Sequence, residues 1–160
     1  MNELLKILQY RLIWINVLLI IFLTFIVFYI FEASAFLFVL VSNLFDLLGY
    51  HFSLIRRTKE IPEKIIVRSY RVNQFLFDLV LLLLIGVQFD WIAALAGWIM
   101  KLFGLQDVFY YLFLQEKLPP KWNWMKWTPL GWFRDDLTKN DIVVQSSLGI
   151  LIAVLLLIIR

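Results

Sequence analysis

Two long apolar segments lie back to back between Arg71 and Leu114, broken only by Asp90. No soluble core of a small domain has use for such a stretch, whereas a bilayer does. Each segment approaches the ~20 apolar residues a spanning helix needs. Lys101, Asp78 and Asp107 sit inside them, so any functional site of this chain is expected at membrane depth.

The rest of the sequence extends the pattern. The chain has 160 residues and is 62% hydrophobic, with 17% charged residues. Soluble domains are about 45–50% apolar. Residues 12–31 form a first apolar run, interrupted only by Asn16 and Thr24. Residues 34–55 follow after a very short connection and return antiparallel. Residues 72–89 and 91–114 are the third and fourth spans, and residues 142–159 the fifth. The expected fold class is all-α: a polytopic integral membrane helical bundle of five transmembrane helices in one domain, residues 1–160. The alternative is four spans plus a re-entrant segment broken at Gly104. Such backbone is tolerated only when it is buried in protein or lines a cavity. A second alternative concerns the start. Lys6 and Arg11 with Ala33-Ser34-Ala35 resemble the charged region and cleavage site of a signal peptide, but the apolar run is longer than the usual 7–15 residues.

The loops carry the charge. Residues 56–71 hold Arg56, Arg57, Lys59, Lys64, Arg68 and Arg71, and residues 115–141 hold Lys117, Lys121, Lys126, Arg134 and Lys139. With the N-terminus inside, every one of the 15 Lys and Arg except Lys101 and Arg160 falls on the inner side. That is the positive-inside pattern, and it predicts loops 56–71 and 115–141 to be cytoplasmic and the C-terminus to lie opposite. Anionic headgroups are the expected partners of these basic loops, and nucleic acid is not. The second loop also contains Trp122, Trp124, Trp127 and Trp132 alternating with Lys, together with three prolines. This predicts an irregular segment anchored at the headgroup level.

Chemistry is restricted by what is missing. There is no Cys and one His, His51. Disulfides, thiolate sites and multi-imidazole metal sites within one chain are thereby excluded. No nucleotide-loop, nucleophile-elbow or zinc-protease motif occurs.

Charges buried in spans remain. Each costs about 2.5–3.5 kcal/mol on insertion scales and persists when paired, solvated or functional. At helical rise Asp46 lies ~15 Å from the inner boundary, and Asp78 and Asp107 ~10 Å. Three carboxylates on three helices therefore share one layer of the inner half. Asp46, Asp78 and Asp107 are the candidate catalytic residues and the candidate ligands of a hard divalent cation such as Mg²⁺. Asn43, Asn73, Gln74, Tyr110, Tyr111 and Lys101 are candidate substrate-binding residues. On the second span Ser42, Asn43, Asp46, Gly49, Tyr50 and Ser53 recur at helical spacing and predict one polar stripe. His51 lies off that stripe. Ala93, Gly97, Lys101 and Gly104 predict a face that another helix approaches closely. The bland reading is that Lys101 pairs with an aspartate and the polar groups serve as interhelical glue.

Three function classes follow. A small membrane enzyme or binding protein for a lipidic or lipid-phosphate substrate would use the acidic layer and the basic rim together. A cation or proton channel or transporter, built as a homo-oligomer, would need polar residues across the outer half, where residues 79–85 and 151–159 are bare. A non-catalytic subunit would use its charges to pair with a membrane-complex partner.

Overall fold

A computed structural model describes residues 10–55 and 63–159, with side chains described for residues 10–49 and 65–159. The described residues are all-helical, with no strand among them. The helices are α1 (Arg11–Ile26), α2 (Ser34–Ile55), α3 (Glu63–Gln88), α4 (Trp91–Leu102), α5 (Leu105–Phe113) and α6 (Lys139–Ile159). Short 3₁₀ turns stand at Phe31–Ala33 and Leu130–Trp132. Three segments are long and apolar enough to cross a membrane: Phe31–Gly49, Ile65–Gln88 and Lys139–Ile159. The bent pair α4–α5 makes a fourth if taken as one span. α1 is apolar but has 16 residues, about 24 Å at helical rise against a hydrocarbon core of ~30 Å.

The outer surface agrees with lipid as the solvent. Leu18, Phe22 and Phe25 on α1 face outward, as do Val80, Leu84 and Val87 on α3 and Val144, Leu151 and Ile158 on α6. Apolar faces this continuous are not left open to water.

Sequence chemistry sets the helix ends. Asp90 caps α4, its side chain accepting a 2.7 Å bond from the Ala93 amide. This satisfies one of the amides that a helix start leaves unpaired, and it makes Asp90 the turn that the sequence predicts. Thr138 and Asp141 bond each other's amides at the start of α6 (2.9 and 3.3 Å), a reciprocal capping box.

α4 lies in the centre, packed against α6, α2 and α3. Its buried positions are mostly small: Ala93, Ala94, Ala96 and Gly97, with Met100 and Lys101 below them. A Cβ at Gly97 would lie 2.7 Å from the Ala35 carbonyl oxygen and 2.7 Å from Phe38 Cβ. Only a residue without a side chain allows α2 so near, as the small-residue spacing predicts.

Three boundaries differ from the sequence reading. The third span begins in a helix from Glu63, so residues 63–71 continue α3 rather than form a loop. Residues 91–114 are not one straight helix. They break at Gly104, the position at which the alternative sequence reading places a break; its φ of 88° is left-handed, and α4 and α5 meet at a 68° bend. The Phe103 carbonyl that the break releases accepts from Gln145 Nε2 (3.1 Å) and Ser146 Oγ (3.3 Å) on α6. Neighbouring helices commonly re-satisfy a broken helix in this way. Finally, the first span is shorter than residues 12–31, because α1 ends at Ile26. The stretch 56–62 of the first basic loop, and the side chains of Tyr50, His51 and Ser53, lie outside the described residues.

The segment between α5 and α6 is a folded cap. Trp122, Met125, Leu137 and Ile142 form its own buried cluster, with Val108 and Tyr111 of α5 packed against it. The Trp122 indole donates to the Pro119 carbonyl (2.7 Å) and its amide to the Leu137 carbonyl (2.8 Å). The Leu130 amide donates to Gln145 Oε1 (2.8 Å). Trp122 is fully buried, so it is a core residue of the cap and not a headgroup anchor. Trp132, by contrast, is 66% exposed.

Candidate functional site

The described part of the α2 polar stripe, from Ser42 to Gly49, faces inward as its spacing predicts. Ser42, Asn43 and Asp46 are all buried, and Gly49 lies against the ring of Tyr70. α3 brings its own polar face to meet them. Tyr70, Gln74 and Asp78 stand at successive four-residue steps and share one side of that helix.

Two polar centres result. In the first, Asp46 accepts hydrogen bonds from the Tyr70 hydroxyl, from Gln74 Nε2 (2.7 Å) and from Gln106 Nε2. One carboxylate thus ties α2 to α3 and α5. In the second, Asp78 accepts from Lys101 Nζ at 2.5 Å and from Ser42 Oγ at 3.3 Å. Lys101 is 3% exposed. Its charge is met by Asp78, the pairing that the bland reading anticipates.

The aspartates therefore divide between two centres. Among the described residues no three Asp, Glu, His or Cys side chains come together to hold a metal ion. The expectation of a cation shared by Asp46, Asp78 and Asp107 meets a physical obstacle. Lys101 and Ser42 occupy Asp78, while two amides and a phenol occupy Asp46.

Asp107 is different. It sits in the first turn of α5, and its Oδ2 is buried with no hydrogen-bond partner. The neighbouring Gln106 is 1% exposed, and its Oε1 also lacks a partner. Asn43 lacks partners for both its amide nitrogen and its oxygen. Unpaired buried acceptors cost about 1–3 kcal/mol each, so each calls for an explanation.

Two cavities, each of about 340 Å³, open beside these groups. The first is floored by Asp46, Gln106 and Asp107, walled by Tyr70, Tyr110 and Tyr111, and covered by Trp124 and Trp127 of the cap. The second is lined by Asp78, Lys101, Phe75, Trp98 and Leu102. Arg71, Gln74 and Trp127 line both and form the wall they share. Each volume lies at the lower end of the range for small-molecule sites, about 300–1,000 Å³.

Of the candidates read from the sequence, Asp46, Asp107, Gln74, Tyr110 and Tyr111 line the first cavity, and Asp78 and Lys101 the second. Asn43 is buried beneath the site and lines neither. Asn73 is exposed on α3 and lines neither. It is one step from Gln74, about 100° round the helix, and so points off the polar face.

Tyr70 and Gln106 belong to the site and have no role in the sequence reading, which places Arg71 only in the basic rim and Trp124 and Trp127 only among headgroup anchors. Tyr70 and Arg71 were assigned to a loop, where no helical face can be drawn. Gln106 carried a signal, a polar residue beside a buried aspartate, that a straight helix through Gly104 would rotate away.

Compared with known protein families, curated proteins and solved structures, the chain matches none.

Proposed function

We propose that this is a five-segment membrane protein that binds a lipidic, phosphate-bearing substrate at the inner face of the bilayer. α1 serves as the first segment and the α4–α5 pair as the broken fourth. Lys and Arg placement supports an inside N-terminus and a C-terminus on the opposite side. That orientation puts the two cavities and the Trp-rich cap at the cytoplasmic boundary.

The observation that carries the reading is the shared wall. Arg71 makes no ion pair among the described residues and stands between two cavities, where its fork of donors suits a phosphate. The walls beside it are aromatic and apolar, as an amphiphile requires. The proposal is one of binding first. Were chemistry to occur on a bound group, Asp107 is the acid with an oxygen left without a hydrogen-bond partner. A channel is less well supported, because residues 79–85 of α3 and 151–159 of α6 carry no polar side chain to continue a path.

The test is lipid retention. The protein is purified in mild detergent and its bound lipids are measured by native mass spectrometry, with Arg71→Gln and Trp127→Ala in parallel. The reading expects a phosphate-bearing lipid on the wild type and about tenfold less on Arg71→Gln, the loss of one charge-assisted contact. A wild type without lipid, or equal retention by Arg71→Gln, would refute it.

A further inference from the structure

Resting on that reading, we infer that the first cavity takes an ammonium group, so that the substrate head is a phosphate-linked ammonium ion. The lining is acidic and aromatic at once. Asp46 and Asp107 supply carboxyl groups, while Tyr70, Tyr110, Trp124 and Trp127 supply aromatic rings. Carboxylates with several aromatic rings are the setting in which organic ammonium ions are bound, by charge and by the ring quadrupole together.

A second observation is independent of the charge. The buried atoms without partners at this cavity, Asp107 Oδ2 and Gln106 Oε1, are both acceptors. Gln106 is 1% exposed and its amide nitrogen is already given to Asp46. Both atoms want a donor, and Arg71, which lines the same cavity, bonds to neither. A metal would supply charge, but no three metal-ligating side chains converge among the described residues.

The layout fixes how the head would lie. Arg71 lines both cavities, and in the second the charge of Lys101 is met by Asp78, which leaves Arg71 as the cation at the shared wall. A phosphate at Arg71 and an ammonium over Asp107 match that order of charge. A glycerol head would bring hydroxyl donors to the two carboxyl groups but no positive charge.

The probes are short-chain dihexanoyl phosphatidylethanolamine and phosphatidylcholine against dihexanoyl phosphatidylglycerol. Binding is read from the fluorescence of the tryptophans in detergent-solubilised protein. Both ammonium lipids should bind about tenfold more tightly than the glycerol lipid, and Asp107→Asn should erase that preference. Asp107→Asn keeps the side-chain shape, and a thermal melt confirms that it folds. Tyr110→Leu is the second variant and should lower ammonium-lipid binding selectively.

Equal binding of all three lipids, still weakened by Arg71→Gln, would overturn the ammonium inference and leave the lipid-phosphate reading standing. Tetramethylammonium chloride displacing as well as the ammonium lipids would overturn the linked head, since the phosphate would then contribute nothing. If none of the lipids bound, the lipid-phosphate reading would fall as well.

Discussion

The pairing of Lys101 with Asp78 gives the sharpest energetic prediction. Lys101 comes from the central helix α4 and Asp78 from α3, and their side chains are 4% and 12% exposed. Truncating one partner of a buried pair costs about 3–5 kcal/mol in soluble proteins, because the other charge is left without a counterion. In membranes the unfolded chain also finds partners, and interhelical polar contacts measure about 0.6–1.7 kcal/mol. Lys101→Met leaves Asp78 with only the Ser42 hydroxyl, and Asp78→Asn leaves an ammonium facing a neutral amide. We expect a loss of about 2 kcal/mol for each single variant and about 1 kcal/mol for the double. The coupling energy is then about 3 kcal/mol, well outside the ~0.5 kcal/mol scatter of independent sites. Reversible unfolding in bicelles, with all four proteins, measures it. Additive losses, with a coupling below about 0.5 kcal/mol, would refute the claim that these charges stabilise by pairing.

Three further outcomes follow from the backbone, the cap and the surface. Gly104→Ala forces a side chain into a left-handed position and should cost about 1–2 kcal/mol in the same assay, whereas no loss would mean that the helix break is not held there. Trp122→Ala empties the centre of the cap and strands the Pro119 carbonyl, for a cost of about 3–5 kcal/mol; limited proteolysis between residues 115 and 138 should accelerate with it, and unchanged digestion would show the cap is not a packed unit. The Lys126–Asp135 pair lies in water, with side chains 61% and 89% exposed. Lys126 holds the Asp135 carboxyl below its ordinary value, so whatever the pair contributes is present above the unfolded carboxylate range and fades as pH falls through the lowered value. Because exposed pairs contribute little, Asp135→Asn should leave the melting temperature at pH 7 unchanged within error, and a clear drop would contradict that view.

The apolar runs were legible in the sequence because lipid imposes one rule on every spanning residue, and composition alone reports it. The inward stripe of α2 was legible for the same reason: polar residues at helical spacing in an apolar run have only the protein interior to face. What was not legible depended on rotation and on bends. Whether Asp78 joined Asp46 was decided by Lys101, which the small-residue stripe of its helix places on a packed face without saying which carboxylate it meets. The break at Gly104 moved Gln106 and Asp107 onto a new axis, and glycine alone does not distinguish a close contact from a left-handed turn. The cap was hidden because its prolines and tryptophans read equally well as a loop at the headgroups. Trp122 became core only through Met125, Leu137 and Ile142, the last two lying 15 and 20 positions further along the chain.

The break at Gly104 also bears on how the chain tolerates a carboxylate at Asp107. Because α5 begins afresh at Leu105, the first amide to return to the helix is that of Val108, bonded to the Gly104 carbonyl. The amides before it are the free positive pole of a new helix, and Asp107 stands in that first turn. An acid so placed is stabilised by about 0.3–1 kcal/mol, and by more where water is scarce. In an unbroken rod the same residue would sit mid-helix, with every nearby amide already engaged and no pole to answer its charge. The kink and the acid are therefore two halves of one arrangement, each making the other tolerable. A substitution that straightens the rod removes the pole that answers the acid at position 107.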